Sequence, residues 1–402
     1  MPGPLHGTRI IDLTSVVSGP SATMLLADQG ADVIKVESLE GDFTRHVSNR
    51  RGGMSANYLN NNRNKRSLAL DLKDARGKAV LMRLLESADV FVQNFRPGVI
   101  ERMGLDEAAV RAAAPEIIYV SISGFGERGP YATKPVYDPL VQALSGLTTI
   151  QAGSDADRPR LVRTILPDKL TGITAAQAIT AALVARLSTG KGQHVKLSML
   201  ESVIAFLWHS DMGSQTFVHG NIPQQEAQSF IDLIYETADG YITVSLMTDK
   251  QWKAAAAAME RPDWLTDPRF ATAAARQENI DARLALTQEA LRTRTTAEWL
   301  ARLDAADVPC APVLTRSDMI RHPQIVENAI VIEYEHQRAG RLRQARPAAR
   351  FSATPVERFA GAPVLGSDSA QVLAEAGYGD AEIAELAAAG VVGLASANPT
   401  NP

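Results

Sequence analysis

Cysteine is almost missing from this chain: Cys310 is the sole one among 402 residues. A lone thiol excludes an internal disulfide and fits a reducing compartment, so a cytoplasmic protein is expected. Within Asp307-Val-Pro-Cys-Ala-Pro-Val313 it reads as a small hydrophobe rather than a nucleophile. There is no basic excess either. Lys and Arg total 41 against 45 Asp and Glu, a net charge of −4, so neither nucleic acid nor an anionic membrane surface is expected as a partner. The seven histidines (His6, His46, His194, His209, His219, His322 and His336) are scattered, and none has the spacing of a zinc motif. No uninterrupted apolar run reaches membrane-spanning length, and residues 1–8 lack the regions of a signal peptide. What remains is a soluble, enzyme-like composition, 45% hydrophobic, in a chain long enough for two domains.

The first half alternates. Strand-like runs at 9–13, 32–37, 67–72, 90–95 and 117–122 are separated by helical stretches at 21–29, 74–87 and 106–113. Such alternation predicts a parallel sheet covered by helices, with ligands at the carboxyl ends of its strands. After residue 200 the character changes. A helix over 201–212 leads to a Gln-rich connector (Gln215, Gln224, Gln225, Gln228), then to a hairpin turning at Ala238-Asp239-Gly240. Helices follow at 249–259, 280–291 and 296–304, a second hairpin turns at Ala339-Gly340, and two short helices precede a polar tail.

Between the halves lies Arg163-Thr-Ile-Leu-Pro-Asp-Lys-Leu-Thr-Gly172, which opens an alanine-rich helix almost free of charge from 170 to 187. A helix apolar nearly all round is expected to be buried. Asp168 at its start has two readings. It is a helix-opening carboxylate favoured by the free amides and dipole, or it is a partly desolvated nucleophile.

Strand, Ser18-Gly-Pro20, helix and a strand ending in Glu37 imitate a dinucleotide-binding unit. Gly19 stands alone, however, so the glycine cradle for a pyrophosphate is missing. Side chains can hold phosphate instead: Arg45, Arg50, Arg51, Arg63, Lys65, Arg66, Lys73, Arg96 and Arg102 cluster in one stretch. They read equally as a solvated basic face.

Nine strings, in order from about residue 5 to 386, resemble the family III coenzyme A transferases, the CaiB/BaiF family. They are Asp12-Leu-Thr-Ser-Val-Val-Ser-Gly-Pro20, Gly30-Ala-Asp-Val-Ile-Lys-Val-Glu37, Asn64-Lys-Arg-Ser67, Asn94-Phe-Arg-Pro-Gly98 and Tyr137-Asp-Pro-Leu-Val-Gln142. The Asp168 segment, Thr189-Gly-Lys-Gly-Gln193, Pro309-Cys-Ala-Pro-Val313 and Arg350-Phe-Ser-Ala-Thr-Pro355 complete the set. The resemblance implies an α/β fold: a Rossmann-like parallel sheet domain formed by both chain ends, a smaller inserted α+β domain, and an interlocked homodimer. The expected division is a large coenzyme A-binding domain at 1–200, a connector at 201–227, the small domain at 228–315, a return linker at 316–349, the C-terminal part of the large domain at 350–395, and a tail at 396–402.

It further implies transfer of coenzyme A from an acyl-CoA donor to a small carboxylic acid, with Asp168 as nucleophile and anhydride and thioester intermediates on it. Coenzyme A is then a substrate, and no tightly bound cofactor or metal is expected. The matching coenzyme A contacts are Val17, Ser38, Leu72, Lys73, Asn94, Phe95, Arg96, Arg102 and Tyr137. An aspartate of ordinary pKa, near ~3.9, is ionised at neutral pH and needs no general base. Formyl-type members carry glutamine where Val17 stands, and a glycine-rich loop in the small domain. The stretch between Gln215 and Tyr241 has only Gly220 and Gly240, which speaks against a formyl or oxalate substrate. The alternatives are an acyl-CoA racemase or isomerase of the same fold, whose histidine base is replaced by Tyr137, and a non-catalytic coenzyme A-binding protein. Arg45, His46 and Arg163 are further candidates for an acceptor carboxylate.

Overall fold

The computed structural model describes residues 3–47, 49–218, 233–356 and 359–395. His219, Gly220, Gln224, Gln225, Gln228 and the tail lie outside them. Two compact units form, residues 1–227 with 330–402, and residues 228–329.

The first unit opens with β1 (Arg9–Leu13), α1 (Ser18–Ala27) and β2 (Asp32–Glu37), then β3 (Arg66–Leu70), α2 (Ala75–Leu85) and β4 (Val90–Gln93). It continues through α3 (Glu107–Ala113), β5 (Ile118–Ser123), α4 (Asp138–Leu144), α5 (Leu166–Thr189), β6 (His194–Ser198) and α6 (Met199–Trp208). Neighbouring strands β3, β2, β1, β4, β5 and β6 all pair in parallel. The order reverses between β1 and β4, and such a switch point opens a ligand crevice at the carboxyl edge.

Successive strand residues face opposite sides, and both sides are covered by helices, so apolar residues stand on both faces of the central strands. Ile11, Ile34, Leu68 and Phe91 pack with Val80, Leu81 and Leu84 of α2. Ile10, Val33, Val90 and Val120 pack with Leu26 of α1 and Ala175, Ile179 and Leu183 of α5.

The second unit holds β7 (Ile234–Glu236), β8 (Tyr241–Val244), α7 (Asp249–Ala258), α8 (Ile280–Leu291), α9 (Thr296–Ala305) and β9 (Cys310–Pro312). Its three strands form an antiparallel sheet, and its core gathers Trp252, Trp264, Phe270 and Trp299. The chain then returns to the first unit as a hairpin, β10 (Val331–His336) and β11 (Gly340–Ala345), followed by α10 (Ser369–Glu375), α11 (Asp380–Ala388) and β12 (Val392–Gly393). β12 closes the sheet antiparallel to β3.

The helix expected over 201–212 is α6, whose Val203 and Leu207 share a core with Val141 of α4. The hairpin expected to turn at Ala339-Gly340 is β10–β11, within the stretch assigned to a return linker. One expectation changes: α5 is not buried all round. Its small residues let α1 and the sheet approach one side, while Ile173, Val184 and Leu187 on the other are 58%, 63% and 86% exposed. With 24 residues and a mean hydropathy of 1.4 in its most apolar window, α5 is long and apolar enough to cross a membrane by length and composition.

Candidate active site

Asp168 sits in the first turn of α5, three residues beyond the N-cap, Ile165, which makes no side-chain cap bond. Asp168 is thus not the N-cap itself, but it is the acidic residue of the first turn, where the free amides and the dipole favour it. Gly172, one turn on, is where α1 and α5 come closest. A Cβ at Gly172 would stand 2.0 Å from Ser21 Oγ and 3.0 Å from the Ser18 carbonyl oxygen. That approach brings the Ser18 amide and hydroxyl onto the Asp168 carboxylate. Asp138, the first residue of α4, is buried alongside, and its Oδ2 accepts the Asp168 N–H at 3.2 Å.

The nucleophile candidate has no cationic partner among the described residues. Burial first, and then the Asp138 charge, push the Asp168 carboxyl up to about 6, against the Ser18 hydrogen bonds. The partial desolvation expected of Asp168 is the larger cause of that rise, and it takes the carboxyl away from the ordinary value expected for the transfer chemistry.

Behind α1 lies a contrasting cluster. Asp12 is fully buried and accepts from Thr14 N (2.9 Å), Thr23 Oγ1 (2.7 Å) and Lys65 Nζ (2.9 Å). Burial acts to raise its carboxyl, but Lys65 and Lys35 overcome that and hold it well below the usual range. Lys35 Nζ reaches the Thr14 carbonyl and Asp42 Oδ2, and Asp42 Oδ2 also accepts the N–H of Val16. Val16 has φ 72°, a costly conformation for a β-branched residue, and this network holds it there just ahead of Ser18.

The expected coenzyme A contacts line up along one sheet edge. Leu72 and Lys73 follow β3, Ser38 follows β2, Val17 follows β1, and Asn94, Phe95 and Arg96 follow β4. Lys73, Arg96 and Arg102 are exposed and make no ion pair among the described residues, whereas Arg9, Arg63 and Arg66 are all paired. Three free cations at a switch point suit phosphates. Asn94 spends its amide on the protein, donating to the Ser15 carbonyl at 2.8 Å and accepting the Ser15 N–H at 2.9 Å. It therefore locks the β1 and β4 loops together. Val17 is buried, Phe95 packs partly into the core, and Tyr137 is 67% exposed beside Asp138.

Arg45 is removed from the acceptor candidates. Its guanidinium is buried in a bidentate pair with Glu37 and lies 3.7 Å from the Tyr58 ring centroid. His46 bonds the Glu40 carbonyl, and Arg163 is exposed. A cavity of about 900 Å³ opens over β4, β5 and β6, but its lining includes Phe95, Ser121 and His194 and not Asp168. There Gln93 links the Phe95 amide to Ser121, which meets His194 at 2.9 Å. Sequence reasoning passed over this row because β6 was not assigned as a strand. Among the described residues no group of three or more His, Cys, Asp or Glu could hold a metal ion.

Residues 5–369 match the model of CoA-transferase family III. The chain belongs to that family. The member described here is 34% identical, over 97% of its length and 90% of the relative's, to succinyl-CoA:glutarate CoA-transferase of Homo sapiens. It is 32% identical to formyl-CoA:oxalate CoA-transferase of Streptomyces avermitilis, over 96% and 99% of the two chains. Among solved structures it resembles a CAIB/BAIF family protein from Brucella suis, with a TM-score of 0.82, 30% identity and coverage of 94% and 100%. A family III fold, and relatives that are CoA-transferases, make this member an enzyme of coenzyme A transfer.

Proposed function

We propose that this protein moves coenzyme A from an acyl-CoA donor to a small carboxylic acid, with Asp168 as covalent nucleophile. The observation that carries the reading is a desolvated carboxylate, free of any cation, beside a sheet edge bearing three unpaired cations. A carboxylate with a raised pKa is a stronger nucleophile and still largely ionised at pH 7.

Asp168 attacks the donor thioester carbonyl, giving a mixed anhydride and free coenzyme A thiolate. The thiolate attacks the aspartyl carbonyl, releasing the donor acid and leaving an aspartyl thioester. The acceptor carboxylate then attacks that thioester. The thiolate it expels returns to the acceptor's carbonyl in the second anhydride, which regenerates Asp168. Each step exchanges one acyl bond for another, and no proton need be removed from carbon. The Ser18 amide and hydroxyl are placed to stabilise charge developing on the Asp168 carbonyl. Both covalent species hydrolyse readily, so the site must exclude water.

Lys73, Arg96 and Arg102 would bind the coenzyme A phosphates, while the locked Asn94–Ser15 pair shapes the crevice floor. Val17 in place of a glutamine, and relatives acting on succinyl-CoA with glutarate, favour a dicarboxylic acid larger than oxalate as acceptor. A homodimer belongs to the same reading: Ile173, Val184 and Leu187 of α5, with Phe206 and Trp208 of α6, leave an apolar surface for a second copy.

The test is direct. Asp168→Ala should abolish transfer from acyl-CoA to a panel of mono- and dicarboxylic acids without ATP, and hydroxylamine or borohydride trapping should mark Asp168 alone. Full activity in the alanine variant would overturn the mechanism. A racemase would instead exchange the alpha proton of a 2-methylacyl-CoA with heavy water in the absence of an acceptor. No such exchange is expected, because Tyr137 stands where a histidine base would be.

A further inference from the structure

Gln142 is 2% exposed and sits one turn after Asp138 on α4. Its Oε1 accepts the N–H of Val162 at 2.9 Å. Its Nε2 lies 2.6 Å from Asp138 Oδ1 and 3.3 Å from each of the Val162 and Thr164 carbonyls. A backbone N–H can only donate and a carbonyl can only accept, so the amide has one allowed orientation. Its oxygen must face Val162, and its NH₂ must face Asp138.

The same accounting then fixes Asp138. Oδ1 receives the Gln142 NH₂ and Oδ2 receives the Asp168 N–H. Both oxygens accept, and an ionised carboxylate accepts both bonds more strongly than a protonated one, whose hydroxyl oxygen is the poorer acceptor. The two fixed donors therefore favour the charged form of Asp138. We propose that Gln142, through the fixed polarity of its amide, holds Asp138 as an acceptor-only carboxylate and is thereby a positioning residue for Asp168. Two consequences follow. The segment 162–164 that leads into α5 is fastened to α4, which fixes where α5 begins and where Asp168 points. And when the pair takes up a proton, it goes to Asp168, the group free to receive it.

The surroundings agree. Asp168 is faced by Asp138 of α4 and by the amide and hydroxyl of Ser18 of α1. Asp138 is faced by Gln142, the Asp168 amide and the Lys169 charge. Burial raises both carboxyls, Asp138 included, and on Asp138 the hydrogen bonds from Gln142 and Asp168 and the Lys169 charge oppose that rise.

This inference rests on the transferase reading for its kinetic arm only. The first measurement is a carboxyl-¹³C titration of the full-length protein labelled at aspartate, with signals assigned by their loss in Asp168→Asn and Asp138→Asn. Asp168 should protonate first as pH falls; protonation of Asp138 first would overturn the proposal whatever the enzyme's activity. In the second, Asp138→Asn and Gln142→Glu should each lower kcat by about 10²-fold, with KM for the acyl-CoA changed by no more than about twofold. Asp138→Asn/Gln142→Glu reverses the polarity of the contact and restores the donor–acceptor match, giving up the two long bonds to the carbonyls. It should regain kcat to within about tenfold of wild type. A double variant no better than the weaker single one would also overturn the proposal. Should Asp138→Asn or Gln142→Glu fail to fold, the wild-type titration decides, with the Asp168 signal assigned by its loss in Asp168→Asn. Activity surviving in Asp168→Ala would sink the transferase reading and leave the titration order intact.

Discussion

Two aspartates flank the start of α1, Asp12 fully buried and Asp168 partly so, and they are opposites. Asp12 is surrounded by Lys65, Lys35, Thr14 and Thr23, and its carboxyl is held low. Asp168 has no cation, has a carboxylate neighbour in Asp138, and is raised to about 6. Burial alone acts in the same direction on both. What differs is charge complement: a compensated carboxylate is a structural tie, and an uncompensated one is held in an unfavourable state that reaction relieves. The same helix is served by both, since Lys65 also bonds the Pro20 carbonyl in the first turn of α1 while Ser18 meets Asp168.

The largest expected effect removes the compensation. Lys65→Met strands Asp12, Asn62 and the Pro20 carbonyl, all partners of one fully buried ammonium. Breaking a buried pair from one side costs about 3–5 kcal/mol. Chemical denaturation at pH 7 should show a loss of that size, with an unchanged denaturant slope if the native state keeps its compactness. Stability within 1 kcal/mol of wild type, on the scale of an exposed pair, would mean Asp12 is not the structural tie described.

At Asp168 the sign reverses. The native state holds its proton up to about pH 6, and the unfolded chain releases it near the ordinary aspartate value of 3.8. Between those values the native state binds more protons, so its stability falls as pH rises, and the cost is complete above the folded value. Asp168→Asn cannot ionise. It should therefore be more stable than wild type at pH 7, by an amount on the order of 2–3 kcal/mol, with the difference gone by about pH 4. The same titration gives wild-type kcat an acid limb near pH 6. An aspartate variant that is less stable at every pH would show that Asp168 is a structural tie like Asp12.

Much of this contrast was legible beforehand, and its limits are physical. The central parallel strands announced themselves through runs of branched apolar residues, as Val90 to Val92 show. β6 was missed: at the sheet edge it reads His194-Val-Lys-Leu-Ser198, an alternation weaker than a buried run. Asp168 was found from its place at the helix start and the family strings. That Arg45 is an internal tie, and that Asn94 is spent on Ser15, depends on contacts between residues distant in sequence, which no local pattern carries. Charge in the sequence looked like a basic face around residues 45–102, and folding sorted it into buried pairs and exposed cations, Lys73, Arg96 and Arg102 among them.

Those free cations sharpen the comparison from the ligand's side. Removing Arg96 or Arg102 breaks no ion pair among the described residues, so neither should alter stability by more than about 0.5 kcal/mol. Each should weaken acyl-CoA binding by about 1.5–3 kcal/mol if it makes a charge-assisted bond to phosphate. KM for the acyl-CoA should rise at least tenfold, with KM for the acceptor acid unchanged. Equal effects on the two substrates would move the phosphates away from this edge.

The smallest expected effect concerns the contact that makes Asp168 and Ser18 neighbours. Gly172→Ala adds a Cβ 2.0 Å from Ser21 Oγ and 3.0 Å from the Ser18 carbonyl oxygen. The hydroxyl can rotate away, giving up its 3.0 Å bond to that same carbonyl, but the backbone oxygen cannot. The helices must part by a few tenths of an ångström, and overpacking of this kind costs about 1 kcal/mol when one of the opposing atoms is mobile. A shift that small is minor for the fold and not for a site whose reacting carboxylate is held by Ser18. Gly172→Ala should thus lower kcat several-fold more than its stability loss suggests. Adding Ser21→Ala, which deletes the nearest clashing atom, should recover most of the stability and less of the rate, because the Ser18 carbonyl still meets the new methyl group. Recovery of both in equal measure would show that the close approach serves packing alone.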